Sequence, residues 1–225
     1  MDEYGVLDSS YHTKRKKDKS LKYRLYRRTQ EILISVKRYY PGTPDSFIDL
    51  GTADGLMLSM IKDSFLSAKC VGLEYSQELL TANTDSRVIV LQGDVNSLPL
   101  SSDLFNIAVA TAIIEHLPEP DKMLKEAKRV LKPNGLLIMT SPDPFWEKVA
   151  TIVGHLQKEQ HHRVMNLKAL VSLVENAGFE VLEQKKFMLS PIGMPLEIHI
   201  ENIIRKIGLD FLFANQLIVC KNIVN

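Results

Sequence analysis

The sequence predicts an α/β fold, with a mostly parallel sheet and helices on both faces. Three observations predict it. Short apolar runs alternate with segments of helical periodicity, which is how β-α units repeat. The runs are continuously apolar rather than alternating, as in strands buried on both faces of a parallel sheet. The stretch Phe47-Ile48-Asp49-Leu50-Gly51-Thr52-Ala53-Asp54-Gly55 reads as strand, tight glycine turn and helix start, the unit from which an open α/β sheet builds a nucleotide crevice.

The chain has 225 residues, enough for one domain with a full core. No apolar run is long enough to span a bilayer, and the polar Met1-Asp2-Glu3-Tyr4 start shows no secretory signal. The two cysteines, Cys70 and Cys220, sit inside apolar runs and read as buried free thiols, which fits a cytoplasmic compartment, in solution or peripheral to a membrane. No metal site is expected. The net charge is +1, yet eleven Lys and Arg residues lie between His12 and Tyr40 against only Asp18 and Glu31. The rest of the chain is acidic on balance.

Residues 1 to about 18 read as a flexible basic arm. From Leu21 the pattern is helical: Leu21, Leu25, Ile32, Leu33 and Val36 share a face, while Lys22, Arg24, Arg27 and Arg28 fall off it and turn toward water. Pro41-Gly42-Thr43-Pro44 ends this helix. The opening strand then leads into a helix to about Phe65. A second strand, 68–73, ends at Glu74, with Ser76 as N-cap of the next helix. Strands follow at 87–92, ending near Gly93-Asp94, and at 105–110, after which Glu115-His116-Leu117-Pro118 precedes a helix from about Pro120 to Leu131. The turn Lys132-Pro133-Asn134-Gly135 feeds a fifth strand, 136–140.

The rhythm breaks after Ser141-Pro142-Asp143-Pro144, where residues 143–165 form an irregular or helical insert. Asn166 caps a further helix that Gly178 closes, and 179–189 reads as the sixth strand. An amphipathic helix over 195–208 places Leu196, Ile200, Ile203, Ile204 and Ile207 on one face, and a last strand runs from Phe211 to Val219.

Ligands of such sheets bind beyond the carboxyl ends of the strands, at the topological switch. Four polar features fall there: the Asp49–Gly55 loop, Glu74, Asp94 and the segment 111–116. Glycines let the backbone turn sharply and a ligand lie against it. The loop lacks Gly-x-Gly-x-x-Gly and Gly-Lys-Ser/Thr, which disfavours a pyrophosphate cradle and a triphosphate P-loop. An acid some twenty residues past the loop, Glu74, can accept both hydroxyls of a ribose. Asp94 can bind an adenine amino group while Val95 packs on the ring. The alternatives are a structural turn at the loop, a solvated carboxylate at Glu74 and a turn cap at Asp94.

These residues, Ile48-Asp49-Leu50-Gly51 to Gly55, Gly72-Leu73-Glu74, Gly93-Asp94-Val95 and Leu131-Lys132-Pro133-Asn134-Gly135, resemble those of class I S-adenosylmethionine (SAM)-dependent methyltransferases, most of all the small-molecule branch that includes quinone-biosynthesis enzymes. The resemblance runs from about Asp45 to Thr140 and continues through Gly178-Phe179. It implies a Rossmann-like seven-stranded sheet with an antiparallel last strand, methyl transfer from SAM leaving S-adenosylhomocysteine (SAH), and SAM lying across the strand ends. Gly51 and its neighbours Thr52, Ala53 and Gly55 would then contact the methionine part, Glu74 the ribose, Asp94 and Val95 the adenine, and Thr111 and Ala112 the methionine side near the sulfonium, with Asp49 and Tyr75 also in the cofactor site. Ala53 stands where a middle glycine is commoner.

A sulfonium methyl needs little help, so a general base matters only for a weakly nucleophilic acceptor. His116, His161 and His162 are the candidates, because histidine titrates near neutrality. Asp143 and Trp146 are candidates to line the acceptor pocket. The expected organisation is a basic arm and cap helix over 1–40 and a SAM-binding domain over 41–225 with cap inserts at about 143–165 and 190–210. The expected acceptor is a small or lipid-linked molecule. The basic arm is a solvated face, a cover that attracts an anionic acceptor, or a contact to anionic lipid; no nucleic-acid module is recognisable. A non-catalytic SAM-binding partner and a nicotinamide-linked oxidoreductase are the rival readings. The sequence leaves the oligomeric state open.

Overall fold

A computed structural model describes residues 9–152, 164–190 and 192–223 of the chain. Seven strands form one sheet: β1 (Ser46–Leu50), β2 (Lys69–Glu74), β3 (Ile89–Gln92), β4 (Phe105–Thr111), β5 (Leu131–Pro142), β6 (Phe179–Phe187) and β7 (Asn215–Asn222). Their order is β3-β2-β1-β4-β5-β7-β6. β1 pairs in parallel with β2 and β4, β2 with β3 and β4 with β5, whereas β7 runs antiparallel between β5 and β6. The chain steps outward from β1 to β3 and then returns to place β4 against β1. The sheet's switch point therefore lies between β1 and β4.

Eight helices surround the sheet in the described residues: α1 (Ser9–Lys17), α2 (Lys19–Tyr39), α3 (Leu56–Ser64), α4 (Gln77–Thr81), α5 (Pro120–Val130), α6 (Pro144–Ile152), α7 (Leu167–Asn176) and α8 (Glu197–Lys206). The inner strands β2, β1, β4, β5 and β7 bury side chains on both faces, as their unbroken apolar runs require, while the edge strands β3 and β6 are only partly covered. On one face Ile48, Leu73, Ala108 and Leu137 meet Leu124 and Val130 of α5 and Leu170 and Val174 of α7. On the other, Phe47, Ile107, Val109 and Ile138 meet Ile32 and Val36 of α2 and Leu58 and Ile61 of α3. Cys70 and Cys220 are buried free thiols within these layers, and burial raises both thiol pKa values.

Four expectations are corrected. The arm expected to be flexible over 1–18 contains the helix α1, and Asp18 caps α2 by accepting from the backbone N–H of Ser20 and Leu21. Arg27 and Arg28 do not face water; both are buried. The reason is a partner for each from the far end of the chain, Glu201 of α8 for Arg27 and Asn215 of β7 for Arg28. The Arg27 guanidinium donates to both oxygens of Glu201 at 3.1 and 2.9 Å and pairs with Glu31 at 3.2 Å, and Arg28 donates to Asn215 Oδ1. On α8, the acids Glu197 and Glu201 are the buried residues, while Leu196, Ile203 and Ile207 are exposed. The last strand begins at Asn215, not Phe211, because residues 210–212 form a 3-10 turn.

The Lys132–Gly135 turn is absorbed into β5 as an irregularity opposite Phe105 and Ile107, with Asn134 at φ 63°. Asn166 accepts from the N–H of Ala169 as the expected cap of α7, and Gly178 (φ 82°) closes it.

Candidate functional site

The carboxyl ends of β1, β2 and β4 meet at the switch point, and the loop from Gly51 to Gly55 sits on top. The backbone N–H groups of Gly51 and Thr52 both donate to Leu73 O, each at 2.9 Å, which folds the loop back over β2. That return brings the loop against Gly72: a Cβ there would lie 2.6 Å from Thr52 Cγ2 and 2.7 Å from Leu58 Cδ1. Gly51 and Gly55 have φ of 77° and 74°, which glycine adopts without strain. Ala53 (φ 52°) and Ala112 (φ 50°) hold the same left-handed region without that freedom. Strain of this kind, about 1–3 kcal/mol per residue, concentrates at functional sites.

Glu74 is bound into this loop. One carboxylate oxygen accepts from the N–H of Ala53 at 2.9 Å and the other from Ser76 at 3.0 Å. Asp94 accepts from the N–H of Asn96 at 2.8 Å and is exposed, while Val95 beside it is buried. Tyr75 is exposed, and its carbonyl accepts from the Gln92 side chain. The Thr111 hydroxyl approaches Met57 Sδ at 3.7 Å at the base of α3.

Asp49 is 1% exposed at the bottom of the site. Burial raises its pKa to about 7, with Glu74 and Asp54 adding to the rise. The Thr52 hydroxyl lies close by without meeting hydrogen-bond geometry, and with Arg15 it pulls the value back. Asp49 Oδ1 and Thr52 Oγ1 are both buried with no hydrogen-bond partner among the described residues. Buried polar atoms left unmatched in this way fit a polar ligand. Gly51 itself is required by packing: a Cβ there would clash with Ile113 Cδ1 at 2.4 Å. The residues present therefore suit a cofactor with an amino-acid end, a sugar and a base.

The sequence reading missed three features. Asp54, whose side chain is 0% exposed, accepts from Arg15 Nη1 at 2.5 Å and lies 2.8 Å from His12 Nδ1, so α1 is docked on the glycine loop. Asp54 stands at the start of α3, a position that favours an acid and is legible in sequence, but its partners in the arm are not. Gly72 was noted as part of a motif without its packing reason. The third is the buried Arg27–Glu201 clamp, since in sequence Arg27 falls off the apolar stripe and predicts a solvated position.

Among the expected catalytic residues, His116 ends the 3-10 turn Ile114–His116 after β4 and is half-buried. His161 and His162 lie outside the described residues. Asp143 is buried, pairs with Lys186 at 2.6 Å and accepts from the N–H of Phe145 at the start of α6, a structural use. The Trp146 indole N–H donates to Phe211 O at 3.0 Å, joining the two segments that follow β5 and β6. Among the described residues no group of three or more His, Cys, Asp or Glu could hold a metal ion, and no helix is long and apolar enough to cross a membrane.

Comparison with known proteins follows the same lines. The family model described as a methyltransferase domain matches residues 19–184. The chain is similar to the demethylmenaquinone methyltransferase of Lactobacillus johnsonii, 32% identical over 101 residues, 40% of this chain and 41% of that protein. It is similar to the malonyl-[acyl-carrier protein] O-methyltransferase of Halalkalibacterium halodurans, 25% identical over 130 residues, 53% of this chain and 48% of that protein. The matched parts span about half, or less, of these curated relatives. Among solved structures, a SAM-dependent methyltransferase from Thermotoga maritima superposes with a TM-score of 0.69 at 21% identity, covering 95% of this chain and 94% of that one.

Proposed function

The chain belongs to the methyltransferase-domain family of class I, SAM-dependent enzymes, and from that premise we propose that it transfers a methyl group from SAM to a small-molecule or lipid-linked acceptor. The observation that carries this reading is the convergence of the glycine loop, the unmatched Asp49 and Thr52 atoms, Glu74 and Asp94 along one rim at the switch point. On this reading Gly51 to Gly55 hold the methionine part, with Asp49 below its ammonium group. Glu74 and Tyr75 serve the ribose, Asp94 and Val95 the adenine, and Thr111 and Ala112 the side nearest the sulfonium.

When bound, SAM supplies a methyl group already activated for in-line displacement. The residues of the chain align the acceptor and exclude water. His116, half-buried just beyond β4, is the described histidine placed to orient an acceptor or take its proton. Calorimetry with SAM and SAH tests the cofactor assignment, and Glu74→Ala is expected to weaken binding by about tenfold or more. Undiminished affinity in that variant counts against the site. Release of SAH from SAM in the presence of a metabolite extract tests for transfer.

The choice of acceptor class is supported by the relatives named for demethylmenaquinone and for malonyl-[acyl-carrier protein]. A lipid-linked acceptor is supported further by the cap. Leu196, Ile203, Ile207 and Phe211 are 72, 62, 63 and 56% exposed on the segment that follows β6, and Lys14, Lys16, Lys17, Lys19 and Lys22 are exposed on α1 and α2. Apolar side chains and lysines together suit an anionic bilayer surface. Co-sedimentation with phosphatidylglycerol vesicles is the expected result, weakened by Ile203→Asp with Ile207→Asp. Equal recovery with and without vesicles would remove the lipid contact and leave a soluble acceptor.

A further inference from the structure

We infer that α1 is part of the cofactor site, and that Arg15, oriented by Asp54 and assisted by His12, holds the α-carboxylate of SAM. The inference rests on the SAM reading above and assigns residues that neither the motifs nor the sheet supply.

The argument begins with charge. The four strand ends that would hold the cofactor are Asp49–Gly55, Glu74–Ser76, Gln92–Val95 and Thr111–Ile113. They contain the carboxylates Asp49, Asp54, Glu74 and Asp94 and no Lys, Arg or His. Carboxylates suit the ammonium and sulfonium charges of SAM. They repel its α-carboxylate, which needs a cation close to the glycine loop. Within the described residues, α1 brings two candidates there. Arg15 meets Asp54 Oδ1 at 2.5 Å and His12 meets Asp54 Oδ2 at 2.8 Å, with the Arg15 and His12 side chains 11% and 16% exposed. The bond to Asp54, a residue of the glycine loop, is what places the guanidinium beside that loop.

Stability alone is a poor reason for this arrangement. Burying an ion pair costs nearly as much desolvation as the attraction returns. The same pair has a clear use if Asp54 fixes the guanidinium plane. A planar fork of donors can bridge two carboxylates, one from the protein and one from the ligand. The basic arm then closes the methionine end of the site and shields it from water.

Calorimetry with two ligands tests this, using the full chain. SAH carries the carboxylate; S-adenosyl-3-thiopropylamine, its decarboxylated counterpart, keeps the amine and the adenosine. Arg15→Ala is expected to weaken SAH by about tenfold to a hundredfold and the decarboxylated ligand by less than about threefold, with Arg15→Lys recovering part of the SAH affinity. Equal loss for both ligands would mean that Arg15 only docks the arm, and it would overturn the assignment, as would unchanged SAH affinity. Failure of the unaltered protein to bind SAH at all would take down the cofactor reading itself. Circular dichroism and the unfolding temperature of Arg15→Ala confirm that the variant is folded, since α1 lies outside both core layers.

Discussion

At the scale of single residues, Asp49 has the environment with the plainest consequence. Its carboxyl is sealed under the glycine loop, and burial moves its pKa from 3.8 to about 7. An acid whose native pKa is raised keeps its proton where the unfolded chain has lost it. Between about pH 4 and 7 the native state therefore binds more protons, and stability falls as pH rises through that window. On the proposed reading an ammonium group against Asp49 would favour the ionised form, and cofactor binding would then release a proton. SAH affinity is expected to rise between pH 6 and 8, with proton release seen as a dependence on buffer ionisation enthalpy. Asp49→Asn is expected to bind more weakly and without that pH response. An identical pH profile in the variant would show that Asp49 does not meet the ligand.

At the scale of elements, α8 shows how a helix is held in place by polar contacts while Ile198 and Ile203 on it stay exposed. Glu201 receives the Arg27 guanidinium and the N–H of Met188, and Glu197 receives the N–H groups of Leu189 and Ser190 together with the Tyr23 hydroxyl. Burial and the bond to Glu197 push the Tyr23 hydroxyl well above its ordinary pKa. Removing Glu201 takes both oxygens of the bidentate bond from Arg27, leaving Glu31 as its remaining acid, and also leaves the Met188 N–H without its acceptor. Glu201→Ala is expected to destabilise the protein by about 3–5 kcal/mol in urea denaturation. Removing Glu119, which pairs with Lys122 on the surface, is expected to cost less than about 1 kcal/mol. Similar small costs for both would mean that α8 contributes no cohesion to the fold.

Across the whole molecule, the proposed site draws on distant parts of the chain: α1, the loop after β1, and the ends of β2, β3 and β4. A ligand held by all of them stabilises only the folded state. At about a hundred times its dissociation constant SAH adds about 2.7 kcal/mol, a rise in unfolding temperature of roughly 5–10 °C for a domain of this size. A thermal melt with and without SAH measures it, and no shift at saturating ligand contradicts a site assembled from these elements.

Most of the sheet was legible in the chain because its inner strands are buried on both faces and announce themselves as unbroken apolar runs, and because the polar break after each strand marks the rim where Asp49, Glu74 and Asp94 stand. Local signals also placed Asn166 and Gly178 at the ends of α7. Arg27 and Arg28 differ from the sequence expectation because a charged residue off an apolar stripe faces water unless another element covers it, and the covering residues, Glu201 of α8 and Asn215 of β7, lie some 170 and 190 residues later. Asp54 with Arg15 follows the same logic across 39 residues. Sequence by itself determined the sheet, its glycine loop and the row of acids, since periodicity and backbone freedom are local properties. Only the tertiary structure decided which buried acids meet which cations, because the energy of a charge depends on what lies across from it in space.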